Sequence, residues 1–397
     1  MQKRKVLMLK IKSACYDSTF YLADLYGRAL ENLGYEVEYF STAKEPLIAL
    51  EKYAGKQYDA VIDFNSVAAY LDTDEGEWFF DTIDAPFYDY ILDHPMYHNK
   101  QLKTPLKNYH VICLDYDHEE YVRKYYPHIK SVHTLPLFAL PLEGRKDENW
   151  KNKTMEVLFT GTYMPANQIY QQINSFDTNL TDEMKEFAEI LMENPALTQE
   201  QALLKMMGNA GSFQQSINIR DRLYAFFLTD VYVKAYYREK MLEAALKTGR
   251  KVTIYGEQWN LYEHSNAKNL EICKMVPFAK TPEVMWRAKI CLNIMPWFKA
   301  GIHDRVFTAM HQNAAVLTDT SRMLEEEFQK DKDILVYDLK HTEQISEQIS
   351  FALDKEEWLM ELAQNGKDKV AKRHNLKERA KKLADIIESN QGESERV

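Results

Sequence analysis

One short segment of the chain gathers the residue types that bind phosphate. Lys299, His303 and Arg305 lie close together in the sequence, and Gly301 stands among them. Arginine binds phosphate through two parallel N–H bonds, histidine can donate one, and lysine supplies a point charge. Glycine lets the backbone approach a ligand closely or adopt a positive φ. The cluster predicts a diphosphate site; an ordinary surface loop in which Arg305 pairs with Asp304 is the alternative.

The pattern around this cluster predicts a strand, a loop, a helix and a second strand. Apolar runs at 290–294 and 315–318 are typical of buried parallel strands, and residues 305–312 have helical periodicity. Ligands of parallel α/β sheets bind at the carboxyl ends of the strands, where the cluster would lie. Asp304 can act as the helix N-cap, and the first-turn amides and helix dipole would favour a bound diphosphate.

The rest of the chain alternates strands and helices, which indicates an α/β fold with parallel sheets. Its 397 residues suit two domains. We predict a Rossmann-like domain over residues 1–145, a second one over 154–375, and a helix with a disordered charged tail over 376–397. The polar stretch 144–153 predicts a linker. From about 168 to 238 only helical periodicity occurs, which predicts a helical insertion in the C-terminal domain.

Composition excludes several classes of protein. The net charge of −10 argues against nucleic-acid or anionic-membrane binding. The four cysteines lack the spacing of a zinc site, and three of them lie in apolar runs typical of buried thiols. They are Cys15, Cys113, Cys273 and Cys291. No apolar stretch approaches the length of a membrane span, and the N-terminus predicts a strand rather than a signal peptide, so we expect a cytoplasmic protein.

The segment 292–319 closely resembles the C-terminal domain of GT-B glycosyltransferases of the spore-maturation-protein-like (CgeB-like) group. The residues that match the pattern of this group are Asn293, Gly301, His303, Arg305, Phe307, Val316, Leu317 and Asp319. Stretches 158–163 and 251–259 resemble the first and second strands of that domain with their loops. The similarity covers about residues 155–375 outside the insertion. It implies two Rossmann-like domains with a nucleoside diphosphate sugar, such as a UDP-sugar, in the cleft between them.

The resemblance also implies site residues. The implied diphosphate-binding residues are Lys299, Gly301, His303, Arg305 and Gly161, and the implied nucleotide-binding residues are Tyr255, Gly256, Val276, Pro277 and Asn293. Arg305 would also stabilise the leaving diphosphate during catalysis. Better-known retaining GT-B enzymes carry two glutamates here, but this chain has Ala300 and Thr308, so the sugar and ribose contacts of those glutamates do not carry over.

Polar residues also end two predicted strands of the N-terminal domain. Asp93 and His94 follow one of them, and either could contact the transferred sugar or act on the acceptor proton. The alternative is that Asp93 caps a turn and His94 is structural. Asp63 and Asn65 end another strand and could line the acceptor side, with turn capping as the alternative.

Metal ions are not expected in the reaction, because GT-B enzymes typically work without one. Asp115 and Asp117 match a bare Asp-x-Asp pattern, but we interpret them as a loop that caps a helix over 119–125. No separate cofactor is expected beside the nucleotide sugar. Trp297 is the aromatic residue best placed to stack on a sugar, and a core position is its alternative.

The function predicted from the sequence is therefore glycosyl transfer from a nucleoside diphosphate sugar. The acceptor could be a protein, a glycan or a small molecule, and retention or inversion of the anomeric carbon stays open. A non-catalytic nucleotide-sugar-binding or sensor protein is the alternative function.

Overall fold

The structure is a computed structural model, and it describes residues 4–12, 17–142, 144, 150–209, 218–264 and 266–394. Cys15 and half of the predicted linker, residues 145–149, lie outside the described residues. The chain divides into two compact units. Unit 1 comprises Met1–Phe138, Pro277–Ala279 and His374–Val397, and unit 2 comprises Ala139–Val276 and Lys280–Arg373.

Strands and helices alternate through most of the described chain. The strands are β1 (Lys5–Lys10), β2 (Glu36–Ser41), β3 (Ala60–Phe64), β4 (Phe87–Tyr90), β5 (Tyr109–Cys113), β6 (Ser131–Thr134), β7 (Met155–Thr160), β8 (Val252–Tyr255), β9 (Leu270–Cys273), β10 (Ala288–Leu292), β11 (Ala315–Asp319) and β12 (Leu335–Tyr337). The α-helices are α1 (Ser18–Asn32), α2 (Asn99–Leu102), α3 (Tyr116–Tyr125), α4 (Ala166–Ile173), α5 (Thr178–Glu193), α6 (Gln199–Asn209), α7 (Ile219–Ala225), α8 (Phe227–Lys247), α9 (Thr281–Trp286), α10 (Asp304–His311), α11 (Arg322–Glu327), α12 (Gln344–Asp354), α13 (Glu356–Arg373) and α14 (Leu376–Ser394). Short 3-10 helices span Leu47–Tyr53, Phe79–Thr82, Pro95–His98, Trp150–Asn152, Trp259–Leu261, Ala267–Asn269, Phe278–Lys280 and Leu339–His341.

Unit 1 is built on a six-stranded parallel sheet with the order β2-β1-β3-β4-β5-β6. Its core is unusually aromatic. The hydroxyl groups of Tyr26 and Tyr90 lie 3.0 Å apart, and Tyr90 donates to the carbonyl of Leu135 at 2.6 Å. The ring of Phe64 stacks on Tyr90 with centroids 5.4 Å apart. Several of the many tyrosines are thus core residues whose hydroxyl groups have internal partners.

Unit 2 contains a second six-stranded parallel sheet with the order β12-β11-β10-β7-β8-β9. Helices α10 and α13 pack against each other, and α13 also contacts β11. Both sheets are therefore parallel α/β sheets, and the predicted fold class is confirmed. Cys291 is a buried free thiol in β10, as Cys113 is in β5 of unit 1, whereas Cys273 is half-buried.

The helical insertion predicted from about 168 to 238 consists of helices α4 to α8 in the described residues. Its predicted end is wrong, because α8 continues through 238 to Lys247 as one helix. The sequence Lys234–Lys247 has no glycine or proline that would interrupt it, and it is rich in good helix formers. The insertion and the resumed α/β alternation therefore share α8.

The end of the described chain also differs from the sequence prediction. The charged tail was predicted to be disordered, but α14 continues through it to Ser394. Among the described helices, none has both the length and the apolar character needed to span a membrane.

Candidate functional site

The sheet of unit 2 has a topological switch point between β7 and β10. These neighbouring strands pair in parallel register, with Ile290 opposite Val157, yet the chain proceeds from them toward opposite edges of the sheet. A crevice opens at such a point beside the carboxyl ends of the strands, and ligands of open α/β sheets bind there. The residues at these two ends are Thr160 on β7 and Asn293 just after β10.

Arg305 connects the two strand ends. Its Nε donates to Thr160 Oγ1 at 3.1 Å, and its Nη1 donates to Asn293 Oδ1 at 2.8 Å. The guanidinium carbon lies 5.3 Å from the ring centroid of Phe159. Burial lowers the pKa of Arg305 from its ordinary value, although a guanidinium stays protonated in proteins. Its other N–H groups have no protein partner among the described residues, so they can bind an anion.

His303 is the N-cap of α10. Its Nδ1 accepts a hydrogen bond from the backbone N–H of Arg305 at 3.1 Å. The prediction that Asp304 caps the helix is therefore wrong: Asp304 is the first helical residue, and its carboxylate lies 2.9 Å from His303 Nδ1. Burial opposes ionisation of Asp304, but His303 and Arg305 outweigh it and hold its pKa below the ordinary value.

Gly161 and Gly256 lie in contact at the ends of β7 and β8. A Cβ on Gly256 would lie 2.0 Å from the carbonyl oxygen of Gly161, so only glycine fits. Gly161 has a φ of 154° and donates its N–H to the carbonyl of Tyr255 at 2.9 Å. Trp259 Nε1 donates to the Gly161 carbonyl at 2.7 Å. Three of the predicted residues, Gly161, Tyr255 and Gly256, are thus brought together beside Arg305.

Other predicted residues of the C-terminal half lie in different surroundings. The Lys299 ammonium donates to the carbonyl of Pro195, so in this structure it is bonded to the helical insertion. Gly301 is buried, accepts a hydrogen bond from Ser321 at 2.6 Å, and does not have a positive φ. Val276 belongs to unit 2, whereas Pro277 belongs to unit 1, and neither has a described contact with the Arg305 site.

The insertion contributes residues to this region that sequence reasoning missed. Arg238 of α8 donates to the carbonyl of Thr162, and its guanidinium carbon lies 5.7 Å from the ring centroid of Phe159. Arg238 and Arg305 therefore lie over the same ring at the end of β7. The sequence shows the two arginines but offers no local signal that they meet at this ring.

Trp297 is also in contact with the insertion. Lys234 of α8 lies with its Nζ 4.6 Å from a Trp297 ring centroid and 2.8 Å from the carboxylate of Asp230. The Trp297 ring also packs edge-on against His303, with centroids 6.0 Å apart. The indole thus lies between α8 and the N-cap of α10, and its role toward a sugar stays a prediction.

In unit 1, the structure brings Asp93 and Asn65 together. Asn65 has a φ of 66°, donates its Nδ2 to Asp93 Oδ2 at 3.0 Å, and accepts from the N–H of Leu92 at 3.1 Å. A non-glycine residue with positive φ is costly and is often found at functional sites. Asn65 therefore fixes the orientation of the half-exposed Asp93 carboxylate.

His94 and Asp63 take the structural roles that the sequence left as alternatives. His94 is buried, and its Nδ1 accepts from the N–H of Met96 at 3.0 Å. Asp63 is buried and accepts from the N–H of Ala68 at 2.7 Å, which holds the turn after β3. Burial, together with the nearby charge of Asp89, raises the pKa of Asp63 well above its ordinary value. Asp63 thus holds the turn that contains Asn65.

The Asp-x-Asp pattern is a helix cap. Asp115 is the N-cap of α3, and its Oδ1 accepts from the N–H of Asp117 at 2.7 Å and of His118 at 3.3 Å. The interpretation of Asp115 as a capping residue is confirmed. Within the described ranges, no group of three or more histidine, cysteine, aspartate or glutamate side chains is placed to hold a metal ion.

Part of the sequence matches a known protein family. Residues 238–385 match the family described as "Glycosyl transferase-like". This match begins at Arg238 and includes the β10–α10 segment with His303 and Arg305. No curated protein sequence matches the chain significantly.

Several solved structures of glycosyltransferases share the fold along nearly the whole chain. HepE from Anabaena in complex with UDP and glucose aligns with 97% of this chain and 100% of its own, with a TM-score of 0.56 and 10% identity. Sucrose-phosphate synthase from Thermosynechococcus elongatus covers 98% and 100%, with a TM-score of 0.54 and 11% identity. BGT of phage T4 in complex with UDP and Mn²⁺ covers 97% and 99%, with a TM-score of 0.52 and 11% identity. The chain also spans 57% of the length of TarM, with a TM-score of 0.49. The fold is that of GT-B glycosyltransferases.

Proposed function

We propose that this protein is a glycosyltransferase whose donor is a nucleoside diphosphate sugar bound at the Arg305 site of unit 2. The observation that carries the proposal is the guanidinium of Arg305, which is fixed between β7 and β10 at the switch point and still has N–H groups to offer. The glycosyl transferase-like region and the GT-B fold support it. The match of Asn293, Gly301, His303 and Arg305 to the spore-maturation-protein-like pattern supports membership of that group.

In this reaction, the bond between the anomeric carbon and the diphosphate oxygen breaks, and a bond to the acceptor oxygen forms as the acceptor loses its proton. Negative charge accumulates on the leaving diphosphate, so preorganised donors at that position lower the barrier most. The N–H of Arg305 is already bonded to His303, which means that the first-turn amides contribute less than the sequence suggested. The Arg305 side chain, His303 Nε2 and the positive end of α10 are the groups that we assign to the diphosphate.

The loop pair at Gly161 and Gly256 is the place that we assign to the nucleoside. Gly256 allows the two loops to touch, and Tyr255 is half-exposed at the end of β8. The structurally similar HepE and phage BGT were solved with UDP, so uridine is the base to test first. Val276 and Pro277 stay predicted contacts of the base.

Asp93 is the group that we assign to the acceptor proton, because Asn65 orients its carboxylate. His94 is a weaker candidate, since its Nδ1 is used to cap a turn. Asp93→Asn removes a proton acceptor while keeping similar size and the ability to bond Asn65.

The proposal is tested first with the intact protein and a panel of UDP-sugars in the presence of EDTA. We expect saturable UDP binding and slow hydrolysis or transfer of the donor without added metal. Arg305→Ala should lower the rate about 30- to 1000-fold, because a charged and partly desolvated hydrogen bond is lost. Arg305→Lys should recover little, since a point charge cannot replace the guanidinium fork.

The matched control is Arg250→Ala, which removes a half-exposed arginine of unit 2 that pairs with Glu156 and Asp354. This variant should keep the wild-type rate and UDP affinity. Activity that disappears with EDTA and returns with Mn²⁺ would contradict the metal-independent mechanism. UDP binding without any turnover, on every donor and acceptor tested, would favour a nucleotide-sugar sensor instead.

A further inference from the structure

Unit 2 contains a large cavity that the Arg305 site does not use. It has a volume of about 850 Å³ and lies at the carboxyl ends of β11 and β12. The Arg305 site lies between β10 and β7, so the two regions are at successive positions along the same sheet edge. This edge is where parallel α/β sheets bind ligands.

Two parts of the fold enclose the cavity. The turns that follow the two strands line part of it, including Asp319, Arg322 and the segment 336–340. The connection between α5 and α6, residues 194–197, lines another part. A hydrogen bond from Lys299 to the carbonyl of Pro195 joins this connection to the loop before α10. The helical insertion thus lines part of a cavity beside the predicted donor loop.

The carboxylates that line the cavity have hydrogen-bond partners, whereas two of its lysines have none among the described residues. Each of its three carboxylates accepts a hydrogen bond: Asp319 from the N–H of Met295, Glu325 from the hydroxyl of Thr320, and Asp338 from the N–H of Lys340. Two of its ammonium groups, those of Lys330 and Lys340, have no hydrogen bond or ion pair with any described residue. Both lysines are exposed at the cavity and can reach a ligand with their charge intact.

The remaining lining combines polar and apolar surface. Asn194, Gln344 and Thr320 offer amide and hydroxyl groups, while Pro195 and Leu339 offer apolar contacts. A ligand that satisfies this lining has hydroxyl groups, apolar C–H faces and one anionic group within reach of the two lysines. These are the features of a sugar that carries a phosphate or a carboxylate.

We propose that this cavity is a separate binding site of unit 2 for an anionic carbohydrate other than the donor. The inference rests on the proposed glycosyltransferase function, which assigns the nucleoside diphosphate to the Arg305 site and the acceptor proton to Asp93 of unit 1. Neither assignment uses the cavity, so its lining is left for a further ligand.

The test measures binding to the full-length protein by calorimetry, with glucose 6-phosphate, glucuronate and neutral glucose as probes. We expect saturable binding of at least one anionic probe and at least 10-fold weaker binding of glucose. Tighter binding of glucose 6-phosphate would identify phosphate as the recognised group, and tighter binding of glucuronate would identify carboxylate. Lys330→Ala combined with Lys340→Ala should lower the affinity for the anionic probe about 10-fold or more. Each single substitution should cause part of that loss of affinity.

The matched control combines Lys268→Ala with Lys372→Ala, which removes the same charge from two exposed lysines of unit 2 outside the cavity. It should leave probe affinity unchanged. The proposal is overturned if glucose binds as tightly as the anionic probes, or if both double variants lose the same amount of affinity for the anionic probe. It is also overturned if the Lys330 and Lys340 double variant loses as much affinity for UDP as for the anionic probe, because the cavity would then hold the donor.

Failure of this inference is distinguishable from failure of the proposed function. UDP binding that depends on Arg305, together with no saturable binding of any anionic probe, overturns the cavity assignment alone. The absence of UDP binding in the wild-type protein contradicts the donor site, whatever the probes show.

Discussion

At the scale of the residue, Arg305 has two tasks. Two of its N–H groups join the ends of β7 and β10, and the others are open to an anion. Arg305→Ala is therefore expected to lower stability by about 1–3 kcal/mol as well as to slow the reaction, because Asn293 Oδ1 loses a buried donor. Stability and rate must be measured together for this residue.

A pH-dependent stability is expected from Asp319. Burial raises its pKa from 3.8 to about 6, and its carboxylate accepts from the N–H of Met295 at 2.8 Å. Between pH 4 and 6 the folded state holds a proton that the unfolded chain has released, so this group costs stability as the pH rises. Asp319→Asn should gain up to about 3 kcal/mol relative to the wild type between pH 4 and pH 7.

Urea unfolding at both pH values measures this difference, with the exposed Asp331→Asn as the matched control. If the free energy of unfolding changes with pH in the same way for wild type and Asp319→Asn between pH 4 and pH 7, the buried carboxylate does not cause the pH dependence.

The sequence predicted the site only as far as local order reaches. His303 and Arg305 could be found because one strand–loop–helix segment contains both. Thr160 lies 145 residues from Arg305, and Arg238 lies 76 residues from its partner Thr162, so no local pattern pairs them. His94 and Asp63 show the opposite limit, since the same residue types serve at active sites and in capping turns, and only the observed hydrogen bonds distinguish these uses.

At the scale of the element, strands were predicted better than helix ends. Buried parallel strands such as β3 and β10 are continuous apolar runs with polar ends. The end of a helix depends on capping residues and on tertiary packing. Helix α8 continues through residue 238 because no glycine or proline interrupts it there. The tail was wrongly predicted to be disordered because the last turns of this charged helix contain few apolar residues, so the sequence there shows little helical periodicity.

Gly256 provides a test of how two strand ends fit together. In Gly256→Ala the new Cβ would approach the carbonyl oxygen of Gly161 to 2.0 Å, so the two loops must separate. We expect a loss of roughly 1–3 kcal/mol in stability and weaker UDP binding, because Gly161 also lies beside Arg305. Thermal unfolding and calorimetry measure both quantities.

Gly208→Ala is the matched control for this change. Its Cβ would meet nothing within 4 Å, and it lies in helix α6, where alanine is favoured over glycine. It should be neutral or slightly stabilising. A Gly256→Ala protein as stable as the wild type would mean that the loops are not held in contact.

At the scale of the whole molecule, the two units do not follow the order of the chain. Helix α14 packs on α1 in unit 1, and Asn390 donates to the hydroxyl of Tyr88 at 3.1 Å. The amphipathic pattern of α14 was visible in the sequence. Which unit it packs on was not, because that depends on contacts with residues some 300 positions away.

A chain that ends at Arg373 should therefore lose the stability of unit 1. The buried apolar side chains that it would lack are Ala380, Leu383, Ala384 and Ile387. Their burial contributes about 5–8 kcal/mol, which is comparable to the stability of an ordinary domain. Scanning calorimetry should show that unit 1 no longer unfolds cooperatively. A control chain ending at Asn390 keeps these contacts and should unfold like the wild type; identical traces for both truncations would contradict the assignment of α14.

The placement of α14 also sets an order for folding on the ribosome. Unit 2 contains no residue beyond Arg373, whereas unit 1 combines segments that precede unit 2 in the chain with helix α14, which follows it. During synthesis, the N-terminal sheet therefore leaves the exit tunnel early, and α14 follows only after all of unit 2 has been made. Unit 1 is thus begun before unit 2 and completed after it, and a nascent chain in that interval exposes the apolar face of α1 to chaperones.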